Sequence, residues 1–185
     1  MIALGRKTLD PQVWIGCVAC YNNGRLVGEW YSADSAEDVT IEEIHAEHFG
    51  APKSRELAEH EELWCFNSEG FGGLLEGETS PSGAQAIAEL IGRVEDEGKS
   101  PLALAAFKGH SGYEIDDPDL IEEFMDAYMG EHASEKEFAI EQSGAGDLSE
   151  WPWDYIDWDS YTNDLFINAY WSAEAPEGVF VFCNA

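Results

Sequence analysis

Residues 114–132 read EIDDPDLIEEFMDAYMGEH, eight carboxylates with no lysine or arginine among them. Carboxylates at such spacing can hold a cation, work as an acid–base pair, or present a charged face to a basic partner. The first use fails on spacing. DDPDLIEEFMDA lacks both the spaced ligands and the sixth-position glycine of a calcium loop. The second use has a better seat at residues 151–164, WPWDYIDWDSYTND, where acids alternate with tryptophan and tyrosine. A glycoside hydrolase cleft is built this way, one carboxyl protonating and the other attacking or activating water. Such catalysis needs two carboxylates with separated pKa values, which leaves most of the 38 Asp and Glu unexplained. Trp158, Tyr161, Leu165 and Phe166 also fall near helical spacing and are expected to be core. The sequence holds no Gly-x-x-x-x-Gly-Lys loop, no Gly-x-Gly-x-x-Gly after a strand and no Gly-x-Ser-x-Gly elbow. We therefore expect no enzyme, no cofactor and no catalytic residue.

Sulfur and imidazole give a second set of candidates. Cys17-Val18-Ala19-Cys20 has metal-ligand spacing, but residues three apart on a regular strand point to opposite faces, and no second pair matches it. Buried structural cysteines are the expectation. His45 and His48 lie three apart on a predicted helix, yet Ala46 stands where His-Glu-x-x-His needs glutamate, so surface histidines are expected and no metal site. Four cysteines without an apolar leader read as reduced thiols.

The charge balance favours the third use of the acids. The chain has 185 residues and a net charge of −29, with 44% hydrophobic residues, enough apolar material to fold rather than remain a disordered acidic tail. The charge is uneven. Residues 1–33 carry Arg6, Lys7 and Arg25 against Asp10 and Glu29, a net of +1, whereas residues 109–185 carry 19 acids against Lys136 alone, a net of −18. A halophilic surface would spread its acid over the whole chain. Such a surface repels nucleic acid and anionic membranes and attracts basic proteins. MIALGRKTLDPQ has no apolar stretch long enough for a secretory signal, and no apolar run suits a membrane span, so a cytoplasmic location is expected.

The elements that must position these residues can be sketched from periodicity. VWIGCVACY and RLVGEWY flank Asn23-Gly24 and predict an antiparallel hairpin of residues 13–21 and 25–31. A helix is expected around 36–47, a third strand at 63–66 (LWCF), and a glycine-rich linker or loop in GFGGLLEGETSPSG. Pro81 or Ser82 opens a helix through Ile87, Leu90, Ile91 and Val94 that ends at Gly98, and PLALAAF forms another. In the acidic stretch, Asp117 is the expected N-cap and Pro118 the first helical residue, with Leu120, Ile121, Phe124 and Tyr128 on one face and Asp119, Glu122, Glu123 and Asp126 on the other. Like charges four apart cost a helix roughly 0.2–0.5 kcal/mol per pair. Ser134–Gln142 and 159–167 read as helices, and NAYWSA with GVFVFCN as a closing hairpin. Strands at both ends with helices between make the expected class α+β. We expect three subdomains: 12–75, a sheet plus helix; 76–112, small and helical; and 113–185, acidic, α+β and the site of dimerisation.

An uncompensated stripe is explained if another protein supplies the cations. Duplex DNA carries one negative charge per about 1.7 Å, so a net charge of −29 matches about 50 Å, near 15 base pairs. Carboxylates held at phosphate-like positions would fill a basic groove while offering no base edges. The candidates are Asp116, Asp117, Asp119, Glu122, Glu123, Asp126, Glu131, Glu135, Glu141, Asp154, Asp157, Asp159 and Asp164. Tyr170, Trp171, Phe180 and Phe182 are the candidates for an apolar dimer interface.

VWIGCVACYNNGRLVGEWYSA, EELWCFNSEGFGG, FMDAYMGEHASEKEFAIE and YIDWDSYTNDLFINAYWS together resemble blocks of the ArdA-type antirestriction proteins. The resemblance covers nearly the whole chain. It implies an elongated protein of three small α+β domains, a homodimer joined through C-terminal domains, and carriage on mobile genetic elements. It also implies inhibition of type I restriction-modification enzymes by mimicry of B-form DNA in the basic groove of their methyltransferase core. The chain departs from the family pattern in its extension before the opening strand and in Gly72-Gly73 after Phe71, where a proline is expected. A second reading is an acidic binder of some other basic DNA-processing or defence protein; a carboxylate-based glycoside hydrolase is a third.

Overall fold

The structure is a computed structural model that describes residues 9–49, 60–144 and 155–184. The chain divides into two compact units, Met1–Pro101 and Leu102–Ala185. Each holds one three-stranded antiparallel sheet with helices around it, which makes the class α+β. Among the described residues no helix is long and apolar enough to cross a membrane.

In the first unit the order is β1 (Gln12–Cys17), α1 (Val18–Asn22), β2 (Gly28–Ser32), a 3-10 segment (Ala33–Asp38), α2 (Ile41–Phe49), β3 (Leu63–Glu69) and α3 (Pro81–Asp96). β1 is the central strand, pairing with β2 from Gln12↔Ser32 to Gly16↔Gly28 and with β3 on its other edge. Its alternation drives Val13, Ile15 and Cys17 fully inside. The expected strand 13–21 is therefore too long. Pairing with β2 stops at Gly16↔Gly28, where an added Cβ would come within 2.6 Å of the Trp14 ring at Gly16 or 2.4 Å of the Ile15 carbonyl oxygen at Gly28. Residues 18–22 then wind into one short helix instead of continuing as strand. Asn23-Gly24 closes that helix rather than a hairpin: the Asn23 and Gly24 N–H groups donate to the Cys20 and Tyr21 carbonyls, and Gly24 takes φ 72°.

The glycine-rich stretch 70–80 is no free linker. Phe71 and Leu74 are buried within it, and Cys65 and Thr79 exchange backbone hydrogen bonds of 2.9 and 3.2 Å. α3 starts as expected, with the Ser80 hydroxyl accepting from the Gly83 N–H at 3.0 Å and Pro81 at the first position. Ala84, Ile87, Ala88, Ile91 and Val94 form its buried stripe against the 3-10 segment and β3.

The second unit takes in most of α4 (Pro101–Ser111), then α5 (Leu120–Ala127), β4 (Tyr128–His132), α6 (Glu135–Gln142), α7 (Trp158–Asn168), β5 (Tyr170–Ala175) and β6 (Gly178–Cys183). The expected middle segment 76–112 is thus shared between the two units: α3 belongs to the first, and Phe107 of α4 packs with Phe124, Trp171 and Phe182 in the second. The closing hairpin forms as expected, but β6 is central and pairs also with β4. That third strand corrects the placement of Tyr128 on the helix face. α5 ends at Ala127, and Tyr128 turns to φ −74°, ψ 114° because its ring packs beside Phe180 and Phe182 on β6.

Candidate functional site

The acidic face is set by α5. Leu120, Phe124 and Ala127 are buried on one side, and Asp119, Glu122, Glu123 and Asp126 are exposed on the other, as the periodicity predicts. The helix starts two residues later than expected. Asp119 rather than Asp117 occupies the N-cap, and the Asp117 carboxylate accepts from the Asp119 N–H at 3.0 Å in the turn before it. The crowding of charge is felt by Tyr113: partial burial, then the fields of Glu123, Asp117 and Asp119, hold its phenol above the ordinary value.

The other candidates divide into exposed charges and carboxylates already engaged in the fold. Asp116 and Asp164 are exposed, and Asp117 is half-buried. Glu131 is exposed on β4 and takes a long 3.4 Å hydrogen bond from the Glu177 N–H. Glu141 lies 3.2 Å from the His132 ring. Glu135 is half-buried and accepts from the Ser172 hydroxyl at 2.6 Å. Asp157 caps α7, accepting from the Ser160 N–H at 3.0 Å and its hydroxyl at 2.9 Å, and those bonds hold its carboxyl below the ordinary value. Asp159 pairs with Lys136 at 2.8 Å. Asp154 lies outside the described residues. Glu135 and Asp159 line an open groove of about 500 Å³. Glu135 is held by the Ser172 hydroxyl and Asp159 by Lys136.

The expected dimer residues need correction. Phe180 is 1% and Phe182 0% exposed, and both lie inside the second unit, so neither is available to a partner chain. Tyr170 and Trp171 are half-buried, with Trp171 stacked between Phe182 at 4.2 Å and His110 at 3.9 Å. Alternation alone could not choose between core and interface for these aromatics. Among the described residues of this unit, the large apolar side chains that stand exposed are Met129, Tyr155, Tyr161 and Ile167.

A further cluster lies in the first unit, where a continuous strand would have kept its two cysteines apart. Because the chain turns from β1 into α1 between them, Cys17 and Cys20 point to one place rather than to opposite faces. His45 is not a surface histidine: it is 3% exposed and faces Cys20 from α2. His60, just before β3, completes a group whose ligand atoms all lie within 4.8 Å of one another. His48 turns away to Gly28, with its Nε2 at 3.0 Å from that carbonyl oxygen. Burial, then the neighbouring Cys17 thiol, pushes the Cys20 thiol above its ordinary value, while burial takes that of Cys65 to about 11.

Two small antiparallel sheets, joined in one chain whose second unit carries a broad exposed carboxylate face, define an acidic α+β protein. Residues 13–180 match the family described as Antirestriction protein (ArdA), and the chain belongs to that family. The comparison with curated proteins gives no match. All thirteen candidate acids, from Asp116 to Asp164, fall within the matched span.

Proposed function

We propose that the chain inhibits type I restriction-modification enzymes by offering its carboxylates in place of DNA phosphates to the basic groove of the methyltransferase core. The observation that carries this reading is the face of α5, where four acids stand exposed together in a stretch, 109–135, that contains no lysine or arginine. A helix under selection for stability alone would place a lysine four residues from a glutamate. Carboxylates left without partners fit a surface whose cations come from elsewhere, and each pair formed with the groove releases counterions as a phosphate does. In this reading the phosphate substitutes are Asp116, Asp117, Asp119, Glu122, Glu123, Asp126, Glu131, Glu141 and Asp164; Glu135, Asp157 and Asp159 serve the fold as well. The protein acts without catalysis, binds no nucleic acid itself, and works in the cytoplasm, where an inhibitor of restriction benefits incoming mobile DNA.

A homodimer completes the proposal. Doubling the net charge of −29 would match the phosphates of about 30 base pairs, long enough for a bipartite recognition site. Purified protein should block cleavage and methylation of unmodified DNA by a panel of type I enzymes, and its affinity for them should fall steeply with salt. Equal cutting with and without excess protein would refute the proposal, and light scattering that shows only monomer at micromolar concentration would refute the dimer.

A further inference from the structure

Four ligand-bearing side chains from separate parts of the sequence meet in the first unit. Cys17 ends β1, Cys20 lies on α1, His45 is on α2, and His60 precedes β3. Cys17 is 0%, Cys20 1% and His45 3% exposed, and His60 is half-buried. Cys17 Sγ lies 3.1 Å from His60 Nδ1, and Cys20 Sγ lies 3.5 Å from both His60 Nδ1 and His45 Nε2. The two ring nitrogens are 3.2 Å apart. We propose that Cys17, Cys20, His45 and His60 form a tetrahedral zinc site.

Geometry, donor type and charge support it together. Zn–S bonds of about 2.3 Å and Zn–N bonds of about 2.0–2.1 Å give tetrahedral edges of about 3.3 Å for N···N, about 3.5 Å for S···N and about 3.8 Å for S···S. The four separations given above lie within a few tenths of an ångström of these edges, and no two of the ligand atoms are more than 4.8 Å apart. Two thiolates and two imidazoles are the donor set of a structural zinc site, and no carboxylate belongs to the group. The tautomer of His45 is also fixed. Its Nδ1–H donates to the Ile41 carbonyl at 2.7 Å, which leaves the Nε2 lone pair aimed at the cluster. On binding, each thiol gives up its proton to solvent, and one Zn²⁺ with two thiolates and two neutral imidazoles has no net charge, which suits a buried site. The backbone already holds the walls: Val18 N–H donates to the Glu62 carbonyl at 3.0 Å, and Cys17 N–H to that of Val27 at 2.9 Å. A metal here would tie β1, α1 and α2 to the entrance of β3. The site is independent of the acidic face, so neither inference stands or falls with the other.

The test uses the full chain, purified reduced and without chelator. Its acidic surface will hold divalent cations weakly, so the protein is washed with excess magnesium, which competes for carboxylates but not for thiolates. One zinc per chain should remain, and cobalt(II) put in its place should show a thiolate-to-cobalt charge-transfer band with the intense visible bands of tetrahedral coordination. Cys20→Ser and His60→Gln should lose the metal and the bands, while Cys65→Ser, which alters a buried thiol outside the cluster, should keep both. His60 is only half-buried, so far-ultraviolet circular dichroism of His60→Gln is expected to be native. Zinc that magnesium removes from the wild-type chain, or cobalt without a thiolate band, would overturn the proposal. So would bands that persist in both Cys17→Ser and Cys20→Ser. In those outcomes the four groups are a thiol–imidazole hydrogen-bond cluster.

Discussion

Asp126→Asn separates functional charge from structural charge on a single helix. Asp126 is exposed in the last turn of α5, one residue before its end at Ala127, and Glu122 lies four residues earlier in the first turn. The helix C-terminus carries the negative end of the dipole, so an acid there is unfavourable by about 0.3–1 kcal/mol. The like-charge pair with Glu122 adds about 0.2–0.5 kcal/mol. Asparagine keeps the shape and a similar helix propensity, so the substitution should stabilise the second unit by about 0.5–1.5 kcal/mol. Glu122→Gln relieves the same pair but forfeits a favourable dipole interaction of about 0.3–1 kcal/mol, and should be neutral to slightly destabilising. Two variants with the same net charge should therefore diverge in stability. For a unit of this size, the Asp126→Asn gain is a Tm rise of about 2–12 °C. At 1 M salt the screening length falls to about 3 Å and most of the difference should vanish. Both variants should weaken the target complex alike, by the roughly 0.2–1 kcal/mol of an exposed ion pair, about 1.4- to 5-fold. Urea titration at low and high salt measures stability, and competition with duplex DNA measures affinity. An Asp126→Asn chain no more stable than Glu122→Gln, or a difference that persists in 1 M salt, would refute the reasoning.

Other consequences follow from the caps and the core. Ser134 accepts from the Glu137 N–H at 3.1 Å at the start of α6, and Ser134→Ala should cost about 1 kcal/mol in urea unfolding. Phe124, 0% exposed and packed against Phe107, Tyr128 and Phe182, should cost about 3–5 kcal/mol as Phe124→Ala, with loss of near-ultraviolet circular dichroism. Asp157 is held below its ordinary value by the Ser160 bonds, so its contribution is present above the unfolded carboxylate range and lost as pH falls through the folded value. Glu43, held low by the Thr40 hydrogen bonds, acts in the same sense. Thermal melts between about pH 5 and pH 2 should therefore fall more steeply for wild type than for Asp157→Asn, which keeps the cap but does not titrate; identical slopes would remove Asp157 from the acid response.

The sequence by itself determined what depends on composition and on near neighbours. The imbalance of 38 acids against 9 bases is independent of folding, and the split of α5 into a buried stripe and an acidic face follows from spacings of three and four residues. Ser80, Pro81 and Ser134 mark helix starts because a cap is made within three residues. What only the tertiary structure decided involves partners far away in the chain. Tyr128 continues a helical pattern, yet pairing with Phe182, 54 residues later, draws it into a strand. Phe180 and Phe182 alternate as an interface would, and distant rings decide that they are core: Phe107 and Phe124 pack on Phe182, and Tyr128 on Phe180. Cys17 and Cys20 would diverge on the strand their neighbours predict. They converge because that strand ends at Cys17 and the chain turns into α1, and His45 and His60 reach them only once α2 and the entrance to β3 fold against that turn. Local periodicity reports which face a residue takes, whereas contact between distant segments depends on loop closure and packing, which no local window contains.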